Sequence, residues 1–169
     1  PQSRSNWERN KCMSHIVKRL LVLVAITALA GMALQAQPNL TGKWVMNPEQ
    51  SDFGEFPGPD SITQDVTHEG SSLKVAATMS TSNGDINYES NYVIGGEETV
   101  NKFGAGEVTN TAKWEGDTLV IEGKGSFGGS TVTMIDRWNL SGNGNTLTID
   151  RSSSSDMGDM ELKIVLEKQ

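Results

Sequence analysis

Three stretches of the chain hold residue types that could do chemistry. The string Gly123-Lys124-Gly125-Ser126-Phe127-Gly128 matches the G-x-G-x-x-G pattern of dinucleotide sites. That pattern works when a helix begins at its end and turns backbone N–H groups toward a pyrophosphate. Here the residues that follow are STVTMIDRW, whose β-branched content and period of two spell a strand. The glycines are therefore expected in a hairpin loop. His68 is the only histidine after residue 36. A histidine metal cluster then lacks a second imidazole, and a Ser-His-Asp triad has no candidate beyond this residue beside Glu69-Gly70, which is expected to be a solvated turn residue. Asp156-Met157-Gly158-Asp159 offers two carboxylates, whereas Ca²⁺ wants about six or more oxygens. A solvated acidic loop is expected there. No acid/base pair stands out, so the expectation is a protein that is not an enzyme, with no catalytic residue, metal or cofactor.

A fourth set is less obvious. Alternation puts Tyr88, Ser90, Tyr92, Asn110, Met134 and Asp136 on the same inward faces that neighbouring segments fill with Leu, Val and Ile. Buried polar atoms cost free energy unless they are paired. Such a set means either an internal hydrogen-bond network or a partly wet cavity. Tyrosine suits a cavity wall, because it joins a large apolar ring to a hydroxyl that needs a partner. The segment DFGEFPGPD, residues 52–60, is rich in Gly and Pro and carries Phe53 and Phe56. Loops of this kind commonly cover something, and this one is expected either to plug an end of the fold or to act as a lid, with both phenylalanines at the mouth.

Positioning these residues requires strands. From residue 40 onward β-branched and aromatic residues alternate with Thr, Ser, Lys and Glu, and Gly or Asn-Gly punctuation recurs about every ten residues. In LKVAATM, Leu73, Val75, Ala77 and Met79 share a face; later come Val108, Asn110, Ala112 and Trp114, then Val132, Met134, Asp136 and Trp138, then Met160, Leu162, Ile164 and Leu166. Turns this short make consecutive strands antiparallel neighbours. The fold class is all-β, an antiparallel up-and-down meander of about 8–10 strands, and closure into a barrel would remove its edges. The polar set faces outward, the reverse of an outer-membrane barrel.

The first 36 residues read differently. Lys18-Arg19 precede LLVLVAITALAGMAL, an apolar run followed by small residues, the order of a secretory signal peptide that starts at Met13 and is cleaved after Ala36. The expected layout is 1–36 as upstream segment plus signal, and 37–169 as a single domain exported to the periplasm or outside the cell. Residues 1–36 carry five of the 14 basic and one of the 21 acidic side chains, which leaves nine against twenty and a net charge of −11 on 37–169. That surface disfavours nucleic acid and anionic membrane as partners. Cys12 lies upstream, so the exported part has no disulfide.

Gly42-Lys43-Trp44, the meander and the late Arg151 together resemble the lipocalin and calycin group, and more closely the bacterial secreted proteins called lipocalin-like. RWNLSGNGNTLTIDR, residues 137–151, is similar to the hairpin near the end of those proteins. The resemblance implies that Trp44 packs across the closed end of the barrel, with Arg151 or Arg137 lying over it and Gly42 opening the first strand. The first functional reading is a monomer that binds a small apolar or amphipathic ligand through the inward-facing Tyr88, Tyr92, Met134 and Asn110, with Phe53 and Phe56 at the mouth. The alternative is a packed barrel without ligand, acting as a structural or protein-interaction module of the cell envelope. A cavity of about 300 Å³ or more would favour the first.

Overall fold

A computed structural model describes residues 37–103, 106–127, 129–156 and 158–169, and of Phe127 the backbone alone. The expected signal peptide, with Lys18-Arg19 and the Ala36 cleavage site, lies outside the described residues. Residues 37–169 cluster as one compact unit. Ten strands fill it: β1 Gly42–Met46, β2 Ser61–Glu69, β3 Ser72–Thr81, β4 Gly84–Val93, β5 Thr99–Phe103, β6 Gly106–Glu115, β7 Thr118–Phe127, β8 Ser130–Leu140, β9 Thr146–Ser155 and β10 Gly158–Lys168. All are antiparallel to their neighbours, in the order β4-β3-β2-β1-β10-β9-β8-β7-β6-β5. The fold is thus the expected all-β meander, forming a nearly closed barrel.

The turns follow from backbone chemistry. Gly70 and Gly116 open two-residue turns after Glu69 and Glu115 with φ of +59° and +63°. Only glycine adopts that region without a steric cost, and such turns match the twist of paired strands. The two strands left at the ends of the order, β4 and β5, are consecutive in sequence, and they meet without a hydrogen-bonded ladder. One side chain bridges them. The Asn91 N–H donates to Asn101 Oδ1 at 2.7 Å, and Asn101 Nδ2 donates to the Asn91 carbonyl at 3.0 Å. A side-chain amide has the donor and acceptor of a peptide group, so Asn101 substitutes for one missing ladder residue. Nearby, the rings of Tyr88 and Phe103 meet edge to face at 5.3 Å, a favoured aromatic geometry. Beyond Val93, the N–H groups of Gly95 and Gly96 both donate to the Ala112 carbonyl on β6.

The core is concentrated at one end. Leu40, Trp44, Leu73, Leu119, Leu147 and Leu166 are 0 % exposed there, drawn from β1, β3, β7, β9, β10 and the segment before β1. Trp44 is therefore internal, and its Nε1–H donates to the Leu40 carbonyl at 3.0 Å. The cation over its ring is Lys168, with Nζ 5.4 Å from the centroid; the expectation of Arg151 or Arg137 in that place is corrected. β10 runs beside β1 and ends over the indole, which gives Lys168 the shorter reach.

Two local expectations also change. Gly123 and Gly125 lie within β7, not in a hairpin loop, with Gly123 paired between Asn110 and Met134. His68 is a half-buried residue of β2 rather than a solvated turn residue: its Nδ1 accepts from the Leu40 N–H at 3.4 Å, its Nε2 meets the Gly70 carbonyl at 3.1 Å, and its ring lies 6.0 Å from Trp114. The imidazole thus ties the segment ahead of β1 to the closed end. Asp156 and Asp159 are both exposed, as expected, but Asp159 belongs to β10, paired with Ser154, rather than to a loop.

Candidate ligand cavity

Above the packed end the inward faces turn polar and the barrel is hollow. A cavity of about 260 Å³ is lined by β4 (Tyr88, Ser90, Tyr92), β5 (Asn101, Lys102, Phe103), β6 (Val108, Asn110), β7 (Ile121, Gly123), β8 (Met134, Asp136) and Arg151 of β9. The volume falls somewhat short of the expected 300 Å³.

Asp136 and Arg151 are opposite one another in the β8–β9 ladder. Arg151 Nε donates to Asp136 Oδ1 at 2.7 Å and its Nη2 donates to Oδ2 at 2.6 Å. This fork-on-carboxylate geometry is the strongest form of side-chain hydrogen bonding. Asp136 chiefly raises the Arg151 pKa, burial opposing it, so the guanidinium stays charged. Side-chain exposure is 35 % for Arg151 and 10 % for Asp136. Both residues line the cavity.

Gly123 explains how the polar wall fits. A Cβ there would come within 2.8 Å of Asn110 Oδ1 and 3.1 Å of Val108 Cγ1. Its absence lets the Asn110 amide lie flat against β7, with Nδ2 donating to the Val108 carbonyl at 2.8 Å. Across the cavity, burial raises the pKa of both tyrosines. For Tyr88 the Arg151 charge and the Gln64 amide oppose that rise; for Tyr92 the Ser90 hydroxyl opposes it first. The site is a half-apolar chamber holding one neutralised ion pair and several uncharged hydrogen-bonding groups.

Of the residues expected to bind ligand, the structure brings Tyr88, Tyr92, Met134 and Asn110 together in this wall. Phe53 and Phe56 are not part of it. Phe53 packs on the core, with Gly58 close against its ring, and Phe56 is 60 % exposed. Their segment is stitched to the barrel side, since Asp52 and Lys163 exchange both backbone hydrogen bonds at 2.7 and 2.8 Å. Phe103, 41 % exposed, takes the place at the cavity edge that those phenylalanines were expected to fill. Asn101, Phe103 and Gly123 were missed, and Arg151 was assigned elsewhere. One signal was present: Arg151 shares the parity of Leu147 and Ile149, which places it inward. Among the described residues no cluster of three or more His, Cys, Asp or Glu could hold a metal ion.

No family model matches the chain, and no curated protein does. Solved structures do. The zebrafish ileal bile acid-binding protein, complexed with cholic acid, is 19 % identical, with 76 % of this chain and 98 % of that one covered and a TM-score of 0.51. A secretory abundant heat soluble protein of Ramazzottius varieornatus is 14 % identical, with 79 % and 98 % covered and a TM-score of 0.55. A variant of the fluorescent protein UnaG is 17 % identical, with 76 % and 95 % covered and a TM-score of 0.52. At such identities the likeness is one of fold. It agrees with the lipocalin-like, calycin-type barrel that the sequence led us to expect.

The cavity makes one prediction about pH. The chain has two tyrosines, both in this wall, so the phenolate absorbance of the whole protein reports on it alone. Their folded pKa values lie above the ordinary 10.0, so the folded state holds these protons longer than the unfolded chain does. The resulting stability is fully present below about pH 10 and is lost as pH rises through the folded values. An ultraviolet titration should show no phenolate until pH exceeds 10, and its rise should coincide with loss of β-sheet circular dichroism. A reversible titration of either tyrosine near pH 10 in folded protein would put that ring in water.

Proposed function

We propose that the chain is a non-enzymatic binding protein, exported and monomeric, that holds one small apolar or amphipathic molecule inside the barrel. The observation that carries this reading is the cavity itself, in which Tyr88, Tyr92 and Met134 face a neutralised ion pair across about 260 Å³. Pockets for drug-sized ligands run from about 300 to 1,000 Å³. At about 260 Å³ this one lies just below that range and suits a single fused-ring system or a short chain with one polar group. The cholic acid complex of the zebrafish protein lends support, since a barrel of this architecture there binds an amphipathic molecule. Catalysis fits the site poorly, because its carboxylate is held by Arg151 on both oxygens.

The second reading, a barrel that carries no ligand and acts through its acidic outer face, is favoured by the modest cavity volume and by the net charge of −11 on residues 37–169, from nine basic and twenty acidic side chains. Calorimetric titration with 2-naphthol, a small uncharged aromatic, separates the two. We expect saturable binding that weakens ten-fold or more in Tyr88→Ala or Tyr92→Ala and is largely kept by Phe at either position. No binding to the intact barrel, or equal binding by the alanine variants while folded, would favour the ligand-free reading.

Export rests on Lys18-Arg19 and the apolar run after it. N-terminal sequencing of the protein from its host should read from Gln37, and a start before residue 30 would count against cleavage there.

A further inference from the structure

Taking the binding reading as given, the arrangement of charge inside the cavity restricts what the ligand can be. We propose that the cavity selects an uncharged molecule bearing a hydrogen-bonding group, such as an alcohol, ketone or amide on an apolar body, and discriminates against the carboxylate of the same shape.

A lone buried arginine would attract a carboxylate. Arg151 is not alone. Its Nε and Nη2 already meet both oxygens of Asp136 at 2.7 and 2.6 Å, so an entering carboxylate finds the Nε/Nη2 fork occupied and the guanidinium charge already neutralised. It would also stand beside a second negative charge in a poorly solvated space, where like charges interact strongly. Displacing Asp136 would leave that carboxylate buried and unpaired, at a cost of several kcal/mol. The β8–β9 ladder holds the two residues directly opposite each other, which gives them little room to separate. Lys102 also lines the cavity, but its side chain is exposed, so water screens its charge. From outside, the net charge of −11 on residues 37–169, nine basic against twenty acidic, repels anions before they arrive.

What the wall does offer is neutral. The hydroxyls of Tyr88, Tyr92 and Ser90 can donate or accept. Arg151 retains N–H donors beyond the two used on Asp136. These can bond a ligand carbonyl or hydroxyl with no new net charge brought in.

The test compares 2-naphthol with 2-naphthoate at neutral pH by calorimetry on the intact chain. The inference expects naphthol to bind at least ten-fold more tightly. In Asp136→Asn, which frees the guanidinium fork, naphthoate should gain ten-fold or more relative to naphthol. The double variant Asp136→Leu with Arg151→Met removes both charges together, a change that buried pairs often tolerate. It should show no gain for naphthoate over the unmodified protein, which traces the gain in Asp136→Asn to the freed guanidinium. Equal or tighter naphthoate binding by the unmodified protein would overturn the inference while leaving the binding reading intact. If neither probe binds, the binding reading itself falls and this inference with it.

Discussion

A ten-stranded meander has two edges, and here the interior exists as a separate space only because those edges are brought together. Sheet edges carry unpaired N–H and C=O groups that must find water, another strand or a substitute. Between β4 and β5 the substitute is Asn101, whose amide satisfies both backbone groups of Asn91. The contact of Tyr88 with Phe103 continues the join toward the hollow end with apolar surface instead of hydrogen bonds. The seam therefore closes the wall with two different kinds of interaction. It is also where β4, the most exposed strand along its first half, borders the cavity.

Behind that wall the barrel is built in two halves with different purposes. The closed half is filled by leucines, Trp44 and Trp138, and it is where the stability of the fold resides. In the other half, positions of the same inward parity carry Tyr, Ser, Asn, Gly, Asp and Arg. Replacing them with aliphatic residues would fill the space and stabilise the barrel, since a buried ion pair seldom exceeds an apolar core in stability. Their presence means that the sequence gives up packing there. A wall of that composition is intelligible when something other than the protein completes it.

Much of this was legible from residue parity. The period of two placed Tyr88, Tyr92, Asn110 and Met134 on the inner face without any knowledge of the fold, because a strand leaves a side chain only two directions. Where period is absent, so was the information. Phe53 and Phe56 lie in a Gly/Pro-rich connection, and their positions are decided by the Asp52–Lys163 backbone pairing, a contact between residues far apart in sequence. Arg151 shows a different failure. Its parity with Leu147 and Ile149 pointed inward, but the resemblance assigned it to Trp44, and Lys168 holds that place. Gly123 read as loop because glycine usually marks one; its strand role follows from Asn110 on the neighbouring strand. Asn101 could not have been singled out, since a seam is a property of the closed barrel.

The central claim is that an occupant enters the polar half and leaves the leucine-packed half untouched. An amide-resolved NMR titration of the intact protein with 2-naphthol tests it directly. The account expects shifts concentrated at Tyr88, Tyr92, Asn110, Gly123, Met134 and Arg151, with Leu40, Leu73, Leu119 and Leu147 unmoved. Shifts confined to outward residues such as Thr63, Asp65, Asn87 and Glu89, which line a concavity of about 510 Å³ along β1 to β4, would contradict it.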